Sequence, residues 1–394
     1  MGHYLAMDFS IPSELTQLRA SFASFLEREV RPLEEQLQPQ FWSYSADREV
    51  LAEAAAEVTR RAAAEGFYAA HMPESVGGQG LSTLGMTLLV EDAAHSGMRL
   101  AMLAVAPPNP SGPSPLLLAL PESLHDTYVR PIVAGESTMC FALTEPEAGS
   151  DAQAIRTSAV RDGDGWRING HKHYITNGDK ADVAVVFAVT DDQKRAAGGI
   201  TAFLVPADQF RRGPVQYNIS DSHPSELFFE DSWVPDDHVL GDVGAGFFLA
   251  MTFLNAGRAY IGAQALGLAE FSLDAAVAHA GSRTAFGKPL AKFQGVSFPL
   301  AESKAEIEAM RWLVYHLAWS VDAGENAMLD ASIVKYYTTE RAYTVADRCL
   351  QTFGGMGLLR EGPIERVLRH LRMLRVVEGA SGIQQLVIAR TLGL

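Results

Sequence analysis

Residues 141–151 read Phe-Ala-Leu-Thr-Glu-Pro-Glu-Ala-Gly-Ser-Asp, and the grammar of the chain changes around them. Phe141–Thr144 has the make-up of a short strand, Pro146 cannot continue a ladder, and Gly149-Ser150 signals a turn. Such a turn exposes backbone N–H groups and a hydroxyl beside a strand edge. That setting suits a heteroaromatic ring carrying a phosphate, and it equally suits a plain structural turn.

Upstream, residues 11–140 read mainly helical. Leu15, Leu18, Phe22, Phe25 and Leu26 recur at spacings of three and four, the stripe of an amphipathic helix. Ala52–Glu65 is rich in strong helix formers, and Gly66 stands where a helix would stop. Five prolines between Pro107 and Pro115 predict a loop, with another helix beginning near Ser114. Downstream, Asp164-Gly165, Asn169-Gly170 and Asn177-Gly178 punctuate short Val-, Ile-, Phe- and Thr-rich runs. The strands expected there are Trp166–Ile168, Tyr174–Thr176, Val183–Thr190, Ile200–Val205, Val215–Ile219 and Leu227–Glu230. From Gly246 the pattern is helical again, over Phe247–His279, Gln294–Ala323 and Met328–Phe353. The chain is therefore expected to be α+β: an N-terminal helical domain (1–138), a middle antiparallel β-barrel-like domain (139–244) and a C-terminal four-helix bundle (245–394).

The 394 residues are 47% apolar and 20% charged, which excludes disordered, collagen-like and disulfide-scaffold classes. Lys plus Arg number 32 against 47 Asp plus Glu, a net charge of −15, so nucleic acid is not an expected partner. Cys140 and Cys349 lie in apolar surroundings without metal-ligand spacing, which points to a reducing cytoplasm. No apolar run approaches the ~18–20 residues of a membrane span, and the Met-Gly-His-Tyr start carries no secretory signal.

Several signatures are missing: a Rossmann fingerprint (Gly355-Met356-Gly357 continues Leu-Leu-Arg), a Walker loop, a G-x-S-x-G elbow and an H-E-x-x-H helix. His171-x-His173 places two imidazoles on one strand face. With no Cys, Asp or third His to complete a set, they read as polar hairpin residues, and no metal is expected.

The string from Ala142 to Asp151 resembles the first signature of the acyl-CoA dehydrogenase family at every position. Further segments resemble that family in order along the chain: Tyr174-Ile-Thr-Asn-Gly178; Leu227-Phe-Phe-Glu-Asp231 with Val234-Pro235; and Arg283-Thr-Ala-Phe286-Gly287-Lys-Pro with Gln294. Gln351-Thr-Phe-Gly354-Gly355-Met-Gly357 and Val377-Glu-Gly-Ala-Ser381 complete the set, and the resemblance spans about residues 10 to 392. It implies three domains and FAD held without a Rossmann motif. On that basis Phe141, Leu143, Thr144, Gly149, Ser150, Tyr174, Ile175, Thr176 and Ser381 belong to the flavin site, with Leu143 and Thr144 at the pyrimidine edge, Thr176 near flavin N5 and Ser150 by the pyrophosphate. Arg283, Phe286, Gln294, Gln351, Gly354 and Gly355 resemble the portions that hold the FAD of a neighbouring subunit. The resemblance thus implies at least a dimer and usually a homotetramer, a dimer of dimers, with electron-transferring flavoprotein as acceptor.

Glu378 is the expected catalytic base. α-Proton removal from a thioester needs a carboxylate poised near neutral pH, and burial without a cationic partner supplies that. Its setting is apolar before (Leu374-Arg-Val-Val377) and open after, at Gly379. The resemblance implies that its N–H binds the thioester carbonyl and that hydride leaves to flavin N5, giving a trans-2-enoyl-CoA. Some members carry the base on an earlier helix, but the matching segment here is Asn255-Ala-Gly257-Arg258, and glycine has no side chain to act. Ser150, Asn255, Arg258 and Gly379 are the expected substrate contacts. Tyr174 for Trp, Ala380 for Thr, Gly382 for Gln, Asn255 for Asp and His370 for an acidic residue depart from the pattern and suggest a divergent substrate. The alternatives are an oxygen-using oxidase or monooxygenase of the same fold, or a non-catalytic DNA-binding relative, against which Glu378 and the acidic charge argue.

Overall fold

Amphipathic spacing near the N-terminus produces two helices in line, α1 (Ser13–Phe25) and α2 (Arg31–Trp42), joined by one π turn over Leu26–Val30. Pro32 lacks the N–H that would bond the carbonyl four residues back, so the wider turn falls where the ladder loses a donor. This computed structural model describes residues 10–43, 46–108, 110, 112–220 and 223–394. The Met-Gly-His-Tyr start, and with it the reading about a signal, lies outside the described residues. Helix α3 (Arg48–Ala64) begins at Asp47, whose carboxylate accepts from the N–H groups of Glu49 and Val50, and it ends before Gly66 at φ +79°. Helices α4 (Thr83–His95) and α5 (Ala101–Val105) follow. The helix expected from Ser114 is instead a series of short pieces: 3-10 turns over Pro115–Ala119 and Glu122–Leu124, a π turn over His125–Val129, and α6 (Arg130–Val133). Pro115, Pro121 and Pro131 each remove a donor from this stretch.

Seven strands form the middle sheet: β1 (Met139–Ala142), β2 (Ser158–Asp162), β3 (Gly165–Ile175), β4 (Val183–Val189), β5 (Ile200–Pro206), β6 (Arg211–Val215) and β7 (Ser225–Pro235). They run in the order β1-β4-β2-β3-β7-β6, with β5 on β4. Most pairings are antiparallel, but β4 runs parallel to β1 and touches β2 in parallel. All seven residues of β4 are buried, because both faces are covered. Val183, Val185, Phe187 and Val189 pack with Leu117, Ile132 and Phe253; Ala184, Val186 and Ala188 face the interior of the curled sheet with Ile168, Phe203 and Phe229. The sheet is thus curled between helical layers.

Four details of the sheet differ from the sequence expectation. Trp166–Ile168 and Tyr174–Ile175 belong to one strand, β3, and Asn169-Gly170, expected as a turn, lies inside it at an irregularity in the pairing with β7. The first strand ends at Ala142, leaving Leu143 and Thr144 just beyond it. Strand β2 was passed over because it buries one residue, Ala159, and exposes its last three. The segment expected as a strand at Val215–Ile219 pairs only through Val215. Beyond it the chain leaves the sheet for the C-terminal helices, where Arg369 donates to the Ile219 carbonyl (2.9 Å) and the Ser220 hydroxyl approaches Met373 Sδ (3.2 Å).

The C-terminal bundle consists of α7 (Gly246–Ser282), α8 (Gln294–Asp322), α9 (Met328–Phe353) and the shorter α10 (Glu365–Leu374) and α11 (Ser381–Thr391), with a small hairpin, β8 (Thr284–Ala285) and β9 (Lys288–Pro289), after α7. Helix α4 lies directly on α7: a Cβ on Gly267 would stand 2.3 Å from the Glu91 carbonyl, so only glycine permits that approach. Helix α7 is long and apolar enough by composition to cross a bilayer, which the search for unbroken apolar runs did not register. Of its most apolar window, 61% is buried inside the protein.

The quoted stretch is fastened to β3 by a buried ion pair. Lys172, fully buried, donates to the Leu143 carbonyl (3.0 Å) and to Glu145 (2.8 Å). Glu145 also accepts from the N–H groups of Arg156 and Thr157, and the His173 N–H donates to the Thr144 carbonyl (2.9 Å). Burial lowers the Lys172 ammonium to about 8 against the pull of Glu145; Glu145 itself is held low, its own burial being outweighed by Lys172 and the two N–H groups. Removing one partner strands the other's charge. Lys172→Met is therefore expected to cost about 3–5 kcal/mol of stability in urea denaturation.

Candidate active site

Glu378 sits in the connection between α10 and α11 with φ +54°, followed by Gly379 at +92°. A left-handed residue with a side chain costs of order 1 kcal/mol or more and persists only where its surroundings over-determine it. Here Gln384, fully buried on α11, donates to the Gly379 carbonyl (3.0 Å) and approaches that of Glu378 (3.5 Å). The turn directs the carboxylate onto α7, where a Cβ built on Gly257 would lie 3.2 Å from Glu378 Oε2 and 3.5 Å from the Pro108 carbonyl. Gly257, read from sequence only as unable to act as a base, leaves the space that the carboxylate occupies.

The residue is half-buried overall, yet Oε2 is closed off from solvent and has no hydrogen-bond partner among the described residues. Burial pushes the carboxyl up to about 7, against the opposing charges of Arg258 and Lys335. The sequence reading expected burial with no paired cation and Arg258 nearby; Lys335 is a second neighbouring cation, and burial still prevails. Arg258 is buried on α7, donates from Nη1 to Asn255 Oδ1 (2.5 Å) and keeps an unpartnered Nε. Burial lowers its guanidinium, with Glu378 opposing. Asn255 thus holds Arg258 in place.

Lys335 on α9 was missed from the sequence. It is fully buried, its ammonium has no hydrogen-bond partner among the described residues, and burial lowers it to about 8 against Glu378. The available signal was a lone lysine on the apolar stripe Ala331, Val334, Thr338, Ala342. Nearby, Ser381 donates to Glu340 (2.6 Å), which also pairs with Arg375 (2.6 Å). The Ser381 hydroxyl is therefore committed within the chain.

The other expected residues form two groups. Leu143, Thr144, Gly149 and Ser150 follow β1, and beside them Tyr174 and Ile175 end β3 and Thr176 follows it. The Phe141 ring is packed between Phe187 (4.8 Å) and Phe253 (5.4 Å), so it joins β1 to α7, four residues before Gly257. Tyr174 is 63% exposed at φ +56°, while Ile175 is buried. The second group lies at the far end of the bundle: Arg283 and Phe286 at the hairpin, Gln294 at the start of α8, and Gln351, Gly354 and Gly355 at the end of α9. The His279 ring stacked on Phe353 (4.4 Å) joins the two segments. Phe286 is 95% exposed at φ +51°, and the Arg283 guanidinium has no partner among the described residues. A Cβ on Gly149, Gly354 or Gly355 would meet nothing within 4 Å. Open glycine backbone at both groups, with an unpartnered arginine and an exposed phenylalanine, fits a large anionic, partly aromatic cofactor.

The chain matches the models of the acyl-CoA dehydrogenase N-terminal domain over residues 12–136, the middle domain over 140–232 and the C-terminal domain over 244–393. It belongs to the acyl-CoA dehydrogenase family. It is 34% identical over 379 residues to a 3-(aryl)acrylate reductase of Clostridium sporogenes, covering 95% of this chain and 97% of that protein. It is 36% identical over 338 residues to the caffeyl-CoA reductase–Etf complex subunit CarC of Acetobacterium woodii, covering 84% and 88%. The structure of butyryl-CoA dehydrogenase from Megasphaera elsdenii superposes with a TM-score of 0.85 at 32% identity, over 98% of this chain and all of that one. The protein is an FAD-dependent oxidoreductase of this family.

A carboxyl near 7 must lose its proton before it can accept one, so base-dependent steps rise with pH through that value. Lys335 favours the ionised form, so Lys335→Met raises the Glu378 pKa. The pH profile of flavin reduction by acyl-CoA is expected to rise through about 7 in the wild type and to move upward by about one unit in Lys335→Met.

Proposed function

We propose that the protein catalyses α,β-dehydrogenation of an acyl-CoA thioester to the trans-2-enoyl-CoA, with Glu378 as the base. The observation that carries this reading is the unpartnered Oε2 of Glu378, shut off from solvent against Gly257 and poised near neutrality. In that setting the neutral carboxyl is better tolerated than the carboxylate, so taking the α-proton relieves the cost of a buried charge. Arg258 and Lys335 keep enough of the group ionised at working pH. The Glu378 N–H has no partner among the described residues and is free to bind the thioester carbonyl, stabilising charge that develops there. Asn255 orients Arg258, and Gly379 lets the substrate approach the backbone.

Bound FAD supplies a two-electron acceptor for the β-hydride. Leu143, Thr144, Gly149, Ser150, Tyr174, Ile175 and Thr176 would line its site in one subunit. Arg283, Phe286, Gln294, Gln351, Gly354 and Gly355 would hold the cofactor of a second copy, which accounts for exposed and unpartnered groups at that end of the bundle. A shared cofactor makes a dimer the least functional unit, and a homotetramer built as a dimer of dimers extends the same contacts. Domain limits at 138/139 and 244/245 belong to this reading, as does a cytoplasmic setting, which the two buried free cysteines support. Electron-transferring flavoprotein is the proposed acceptor, in keeping with the similarity to the Etf-complex subunit CarC.

The same residues would serve the reverse reaction, in which protonated Glu378 would deliver a proton to Cα of an enoyl thioester while the hydride for Cβ would come from FAD in its reduced form. Similarity to the two reductases favours testing that direction with aryl-substituted acrylyl thioesters. Anaerobic mixing with a panel of acyl-CoAs is expected to bleach the flavin band of the purified protein. Glu378→Gln is expected to retain the flavin and to slow bleaching at least about 10²–10⁴-fold; wild-type bleaching by that variant contradicts the assignment.

A further inference from the structure

His171 and His173 stand two residues apart on β3, on the face opposite the one from which Lys172 meets Glu145. The sequence offered no third ligand for them. The pairing of β3 with β7 supplies one, since Lys172 lies opposite Leu227 and the residue before it, Glu226, reaches the two rings. His173 Nδ1 lies 3.0 Å from Glu226 Oε1, and His171 Nε2 lies 3.5 Å from Glu226 Oε2. One donor atom from each residue falls within 4.8 Å of the others. Gln216, just past β6 and anchored by its N–H to the Pro224 carbonyl, brings its side-chain amide to 3.1 Å from His173 Nε2 and 3.4 Å from Glu226 Oε1.

Two buried atoms at this cluster have no hydrogen-bond partner among the described residues: His171 Nε2 and Gln216 Oε1. The orientation of a Gln amide is assigned from its surroundings, and a half-turn places that oxygen where the nitrogen now stands. The rings are held in place without a ligand. His171 stacks on Phe228 (4.3 Å, 15°), whose ring is in turn covered by Arg211, and His173 packs edge-on against Tyr174 (4.0 Å). Donors on a tetrahedral ion at about 2.0–2.2 Å are roughly 3.3–3.6 Å apart; the two histidine–carboxylate separations, 3.0 and 3.5 Å, are close to that, and all three donors lie within 4.8 Å of one another.

We propose that His171, His173 and Glu226 form a binding site for one divalent transition-metal ion of the zinc class, with the Gln216 amide oxygen or a water completing its shell. Two imidazoles and one carboxylate select such an ion over magnesium or calcium, which prefer all-oxygen shells. The ion would tie β3, β7 and the segment after β6 together beside Tyr174, at the end of the strand that continues into Thr176. The site is independent of the chemistry assigned to Glu378.

The test is a competition titration of the FAD-loaded protein with Zn²⁺ against a chromophoric chelator, with Mg²⁺ as control. One Zn²⁺ per chain and no response to Mg²⁺ are expected. His171→Gln, His173→Gln and Glu226→Gln are each expected to weaken Zn²⁺ binding at least about tenfold while retaining flavin. His95→Gln, at the α4–α7 contact with Asp274, is expected to leave it unchanged. Glu226→Gln leaves both rings in place, so it decides the matter if a histidine variant loses its flavin. Absence of saturable Zn²⁺ uptake, or wild-type affinity in Glu226→Gln, overturns the proposal.

Discussion

The Glu378 carboxyl is shut off from water and poised near neutrality, and several elements of the C-terminal half meet around it. The backbone turns left-handed at Glu378 and Gly379, which aims the carboxylate inward. Gly257 on α7 leaves room for it, and Gln384 on α11 fixes the turn by its amide. Arg258 and Lys335, from different helices, oppose the desolvation of the carboxylate without forming a direct hydrogen bond to it. A bonded ion pair would pull the carboxyl towards the ordinary range and take away its basicity; charge held at a remove leaves it near neutrality.

Around this centre the fold supplies position. The curled sheet is anchored by β4, buried on both faces, and the turn after β1 is fixed to β3 by the Lys172–Glu145 pair. The Phe141 ring then sets the end of β1 against α7 just upstream of Gly257. The segments after β1 and β3 that carry Thr144 and Thr176, and the helix that carries Arg258, are thereby held in one frame. The open glycines and the exposed Phe286 at the other end of the bundle are surfaces that a single chain leaves unanswered.

Much of this was legible in the sequence because it is local or carried by short motifs. The long helices, the strand-turn stretch at 141–151 and Glu378 before a glycine all announce themselves within a few residues. What was not legible depends on contacts between distant segments. Lys335 shows in the sequence only as a lone lysine on a largely apolar helix face, and its approach to Glu378 depends on how α9 packs against its neighbours. Strand β2 has too little apolar alternation to register, and its pairing with β3 is a backbone matter. Glu226 meets His171 and His173 only through the register of β3 and β7. The helix expected after Ser114 failed because three prolines outweighed the apolar run that suggested it. The packing of the Phe141 ring against Phe187 and Phe253 is likewise invisible until β1 meets β4 and α7.

The central claim is that Glu378 is the group that moves the α-proton. The most direct measurement is exchange of the α-hydrogens of a bound acyl-CoA with deuterated water, followed by mass spectrometry under conditions where no net oxidation occurs. Exchange by the wild type is expected to accelerate as pH rises through about 7, and none above background is expected in Glu378→Gln. Wild-type exchange in the variant would contradict it.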